Sequence, residues 1–107
     1  MNEETKKVIE GFLGKVGSIK PRLGSIYLFG SRARGTARPD SDYDILLIVP
    51  EKNREIRDRL YDAAVDVQID TGADLSLKIV KQADFERMRK LAYPFIENIL
   101  NEGIKVG

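Results

Sequence analysis

Apolar residues recur at three- and four-residue steps in some stretches of the chain, and crowd together or alternate in others, so the pattern alone divides it into helices and strands. Val8, Ile9, Phe12, Leu13 and Val16 share one side of residues 3–16, with Lys6, Lys7, Glu10 and Lys15 opposite, which predicts an amphipathic packing helix. Pro21 and Gly24 break that pattern. Ile26–Phe29 and Tyr43–Val49 are dense in β-branched, aromatic and apolar residues and read as buried strands, the second ended by Pro50. Beyond it Asn53 is a candidate N-cap for a helix that turns Ile56, Leu60, Ala63, Ala64 and Val67 inward, with Arg54 and Asp58 paired outside. At its end Val65, Val67 and Ile69 alternate with Asp66, Gln68 and Asp70, a strand signal by itself. The helical spacing that runs into this segment, and Thr71-Gly72 after it, predict helix to about residue 70.

Asp74–Val80 alternates again: Leu75, Leu77 and Ile79 fall on one face of a strand, and Asp74, Ser76 and Lys78 on the other. Asp84 is a candidate N-cap for a helix marked by Phe85, Met88 and Leu91. Pro94 opens a further helix with Phe95, Ile96, Ile99 and Leu100 packed inward, Gly103 stops it, and residues 104–106 supply a short closing strand. Tyr61, Tyr93 and Phe95 are expected in the core. Strands interleaved with helices predict an α/β (α+β) fold, a small mixed β-sheet with packing helices, as a single domain over residues 1–107.

Composition removes several function classes. Hydrophobic residues at 42% and charged ones at 33% are ordinary for a globular chain, and no apolar run approaches the roughly 18 residues that span a bilayer, so no membrane role is expected. The opening MNEETKKVIE is charged and helical in pattern, unlike a secretory leader. The absence of cysteine excludes disulfides, thiolate catalysis and zinc–thiolate sites, and suits a cytoplasmic location. With 18 basic against 17 acidic residues the chain has no strongly basic face to offer, and dedicated nucleic-acid binding is not expected.

The candidate chemistry lies between the first two strands. On a strand Asp42 and Asp44 point to the same face, so their carboxylates repel each other across a few ångströms. A divalent cation removes that repulsion. With neither His nor Cys in the chain, only hard oxygen ligands are available, which points to Mg²⁺ or Mn²⁺. Gly30-Ser31 sits where the first strand ends and a turn or helix begins; glycine admits a close ligand, and N–H groups at a helix start with a serine hydroxyl make a phosphate cradle. Arg32, Arg34 and Arg38 add positive charge to the same loop. A phosphate grip beside an acid pair suggests a nucleoside triphosphate, its α-phosphorus polarised by the metal.

Gly30-Ser31, ten intervening residues, then Asp42-Tyr43-Asp44, with Ala33-Arg34-Gly35 and Ser41-Asp42 inside, resembles the signature of the nucleotidyltransferase (polymerase beta-like) superfamily. The short length and the GSRARG spelling are most similar to the minimal nucleotidyltransferases, the MNT or MntA-like proteins paired with HEPN-domain toxins. The resemblance implies the nucleotidyltransferase fold and AMP transfer from ATP to an acceptor hydroxyl, with Gly30, Ser31 and Arg34 binding the nucleotide. Asp42, Asp44 and a third carboxylate on the neighbouring strand would serve catalysis and the metal. Asp74 matches that third position, with Asp70 its rival if the strand reading of residues 65–70 held. The resemblance further implies a HEPN toxin as partner, its tyrosine as acceptor, and a type VII antitoxin role in a homo- or hetero-oligomer. Little chain follows Asp74, so a partner is expected to complete the acceptor site. A non-catalytic steric antitoxin or binding module and a small-molecule nucleotidyltransferase remain the alternatives.

Overall fold

The structure, a computed structural model, describes residues 1–107. Its centre is strand β2 (Tyr43–Val49), whose apolar run from Ile45 to Val49 reflects burial on both faces. β1 (Ile26–Phe29) pairs with it antiparallel and β3 (Leu75–Lys81) parallel, while the two-residue β4 (Ile104–Lys105) closes the far edge against β1. The strand order β3-β2-β1-β4 makes a four-stranded mixed sheet.

Helices cover both faces. Helix α1 (Glu3–Lys15) and helix α3 (Arg54–Thr71), the parallel crossover from β2 to β3, pack on one side, where Val8, Ile9, Phe12, Leu60 and Val67 meet Leu28, Ile45 and Leu47. Asn2 and Asn53 cap these two helices by accepting from Thr5 N–H and Ile56 N–H, each at 2.8 Å. Gly72 ends α3 in the left-handed conformation at φ 78°, which settles residues 65–70 as helix. Arg54 and Asp58 pair at 3.9 Å as their spacing requires. On the other side α4 (Gln82–Lys90) and α5 (Pro94–Glu102) bury Phe85, Ile96 and Ile99 against Leu46 and Ile48. A four-residue helix α2 (Ser31–Arg34) sits between β1 and β2. No helix is long and apolar enough to cross a membrane.

Four sequence expectations are corrected. Asp84 is not an N-cap: β3 runs straight into α4, and Lys81 holds the cap position with no side-chain hydrogen bond. The third strand begins at Leu75, leaving Asp74 outside it. Tyr61, Tyr93 and Phe95 are 44%, 49% and 41% exposed rather than in the core, because single-layer helices on a four-stranded sheet bury only one stripe each. Leu91 and Leu100 are likewise exposed, outside the stripe held by Ile96 and Ile99.

Candidate active site

The site forms where β1 and β2 end side by side. Phe29 faces Asp44 across the antiparallel ladder, so the residue after β1, Gly30, lies directly against the Asp44 carboxylate. Gly30 holds φ 73° and ψ −159°, a region open essentially to glycine alone, and a β-carbon there would collide with Asp44 Oδ2. The glycine is thus required both by backbone conformation and by the acid it touches. Ser31 opens α2, whose first N–H groups have no partner within the helix, and Gly35 ends it at φ 76° with its N–H donating to Ser31 O.

The loop from Gly35 to Asp42 is strapped down from inside. Arg32 is 8% exposed; its Nη2 donates to Ser41 O at 2.9 Å and Pro39 O at 3.3 Å, and its Nε donates to Ser41 O at 3.3 Å. The same guanidinium lies 4.2 Å from the centre of the Tyr43 ring. Arg38 N–H donates to Ser41 Oγ at 2.9 Å and closes the turn. Sequence reasoning assigned Arg32 only a share of the loop's positive charge; here it is a strut that fixes the residue preceding Asp42. An arginine one residue into a helix with the neighbouring strand's aromatic in reach was the available signal.

Asp42 sits immediately before β2 and is exposed, while Asp44 is half-buried within the strand. Burial pushes the Asp44 carboxyl above its usual range, the nearby Asp42 charge adds to that, and Lys78 and Arg34 pull it back. The pair is therefore close enough to interact, as same-face spacing predicts. Two carboxylates in a chain without His or Cys form a hard oxygen donor set that fits Mg²⁺ or Mn²⁺.

The remaining candidates are placed differently from one another. Arg34 is exposed, pairs with Glu102 at 3.6 Å, and borders a 260 Å³ cavity with Phe29, Gly30, Phe95 and Asn98, so it stands beside the cradle. Asp70 pairs with Lys15 at 2.8 Å, away from the site. Asp74 accepts from Gln68 Nε2 of α3, its carbonyl accepts from Tyr43 N–H at 2.8 Å, and it lines a cavity with Ser41, Tyr43, Glu4 and Lys7. The Tyr43 hydroxyl, buried and without a protein partner, belongs to that cavity too. No three acids gather into a group that could hold a metal. The residue that β3 does set beside Asp44 is Ser76, followed on the same face by Lys78.

The sequence profile of the nucleotidyltransferase domain family matches residues 9–106. The chain belongs to that family. Solved structures with the same fold as this nucleotidyltransferase domain include a toxin–antitoxin with AMP-PNP, at TM-score 0.59 and 20% identity over 91% of this chain and 70% of that one. Another is the MntA–HepT toxin–antitoxin, and a third the complex of tri-AMPylated Shewanella oneidensis HEPN toxin with its MNT antitoxin. Both align at TM-score 0.53 and 17% identity over 94% of this chain and 69% of theirs. No functionally curated protein matches the sequence significantly. At such identities the structural likeness carries the fold, and the family assignment rests on the sequence profile.

Proposed function

We propose that this nucleotidyltransferase domain transfers AMP from ATP to a hydroxyl of a HEPN-type protein partner, a tyrosine by preference, and acts as the antitoxin of the pair. The observation that carries the reading is the contact between Gly30 and Asp44: the turn suited to phosphate, one residue past the Phe29–Asp44 pair, lies against the acid suited to metal. Backbone N–H groups at the start of α2 and the Ser31 hydroxyl would hold the β- and γ-phosphates, with Arg34 balancing their charge. Asp42 and Asp44 would hold a divalent ion, which when bound polarises the α-phosphorus and neutralises charge on the phosphates. The acceptor oxygen then bonds to the α-phosphorus, the bond to the β-phosphate oxygen breaks, pyrophosphate leaves and the acceptor's proton passes to solvent. Rate enhancement comes from alignment, because the rigid β1–β2 end fixes the cradle and the acids relative to each other.

A protein acceptor is favoured by the character of the similar structures, which are antitoxins of this fold bound to toxins, one with an ATP analogue and one with an AMPylated toxin. The cavity beside Gly30 and Arg34, flanked by the half-exposed Phe95, is open to a docking surface. To test the proposal, the purified chain is incubated with α-labelled ATP, Mg²⁺ and the HEPN-type product of an adjacent gene. Label on the partner that vanishes with Asp42→Asn plus Asp44→Asn is the expected result. Full neutralisation of the toxin by that double variant, with no label transferred by the wild type, would replace the proposal with steric inhibition.

A further inference from the structure

The cradle and the acids account for the phosphates of a nucleotide and leave its base without a place. Beside them lies the 260 Å³ cavity lined by Phe29, Gly30, Arg34, Phe95, Asn98 and Glu102. Phe29 is paired with Asp44 across the β1–β2 ladder, so the two side chains are neighbours on one sheet face, the face on which α5 packs. Phe95, from the first turn of α5, meets the Phe29 ring edge to face, with centroids 5.5 Å apart and planes at 89°. That contact fixes the orientation of a ring that is still 41% exposed. The cavity is therefore continuous with the phosphate turn at Gly30 and adjoins the acid at Asp44 through Phe29.

The lining selects a ligand. A fixed and partly open aromatic ring offers a surface on which a flat π-system stacks. Asn98 follows Phe95 at the i+3 position, so both side chains fall on the same side of α5, and its amide presents one donor beside one acceptor. The Glu102 carboxylate, paired with Arg34 at 3.6 Å, disfavours phosphate at this wall and suits an uncharged ligand that carries N–H groups. Adenine presents an amino donor beside a ring-nitrogen acceptor, the complement of an amide, whereas guanine presents O6 and N7, two acceptors. We infer that this cavity is the nucleobase subsite, with Phe95 stacking on the base and Asn98 selecting adenine. The inference rests on the nucleotide-binding reading of the site. It makes the choice of ATP a property of this chain rather than of a docked partner.

The test separates base from phosphate. Calorimetry on the full chain with Mg²⁺ compares the non-hydrolysable α,β-methylene analogues of ATP and GTP with inorganic tripolyphosphate, which has no base. The wild type should bind the ATP analogue about tenfold more tightly than the GTP analogue, and Asn98→Ala should bring the two level. Phe95→Ala should weaken the ATP analogue about tenfold and leave tripolyphosphate unchanged, while Phe95→Trp keeps the wild-type affinity for both. A wild type without preference, an Asn98→Ala that retains it, or a Phe95→Ala that loses both ligands equally each overturns the inference. So does a Phe95→Ala that binds the ATP analogue as well as the wild type, and weaker labelling of the partner by that variant would assign the ring to docking. Failure of the wild type to bind either the ATP analogue or tripolyphosphate would instead remove the nucleotide-binding reading beneath it.

Discussion

Replacing Gly30 by alanine separates the two demands that the site makes on this residue. At φ 73° and ψ −159° an alanine is in a region that costs of order 1–3 kcal/mol for any residue with a β-carbon. The added methyl also meets Asp44 Oδ2 at a distance no β-carbon tolerates, so the carboxylate must rotate away or the β1 end must shift. Alanine returns roughly 0.4–1 kcal/mol by restricting the unfolded chain, which leaves a net loss of about 2 kcal/mol. For a domain of this size that lowers Tm by about 10 °C. Gly35 provides the internal control: it too has positive φ, at 76°, but nothing lies within 4 Å of its would-be β-carbon. Gly35→Ala should therefore cost only the left-handed backbone strain, about 1 kcal/mol, and leave the acids in place. Thermal denaturation and calorimetric binding of Mg²⁺ with an ATP analogue are measured on both variants. Both should lose stability, and only Gly30→Ala should lose coupled metal–nucleotide binding. Equal binding in the two variants would refute the claim that the cradle and the acid pair are one unit.

Three further outcomes follow from the structure. Because burial and Asp42 raise the Asp44 carboxyl, the metal-free folded state binds a proton there more readily than the unfolded chain does, and stability falls as pH rises through that window. In chelator-containing buffer Asp44→Asn should raise Tm at pH 7 and lose that advantage below the unfolded carboxylate range near pH 4; a variant destabilised at pH 7 would contradict the shift. Arg32→Ala should lower stability by about 2–3 kcal/mol, read from the urea midpoint, since three hydrogen bonds and the Tyr43 stack go together. Arg32→Lys should not restore it, as one ammonium cannot fork to both carbonyls, and full rescue by lysine would show that charge alone matters. Asp70→Asn removes only the exposed contact to Lys15 and should change stability by less than about 1 kcal/mol; a larger loss would mean that the pair ties α1 to α3.

Much of this architecture was legible because each element carries its own local signal. Asn2 apart, the devices that end and begin helices, Asn53, Gly72 and Pro94, stand at their expected places, and the apolar run of β2 announced a strand buried on both faces. Gly30, Ser31, Asp42 and Asp44 were legible as a group because the spacing of two short strands forces them to one end. What could not be read locally was register. The alternation of residues 74–80 identified a strand but not which of its residues meets Asp44; that depends on the parallel pairing with β2, a contact made across the whole of α3. Asp74 stands one residue before the strand, its carbonyl accepting from Tyr43 N–H, and Ser76 is the residue paired with Asp44. The exposed aromatics failed for a related reason: Tyr61 and Phe95 fit the helical period, but the sheet is too narrow to cover every apolar position.

The double burial of β2 also bears on how the molecule moves. Amides in such a strand exchange with solvent only when the whole domain opens, so β2 should be the slowest-exchanging segment of the chain. Asp44 belongs to that segment, while Asp42 belongs to the loop before it, held by the Arg32 contacts to Pro39 and Ser41. One acid is thus anchored to the most persistent part of the fold and the other to a loop clasped by a single buried guanidinium. The two acids therefore differ in what keeps them in place, the sheet itself for Asp44 and a side-chain clasp for Asp42.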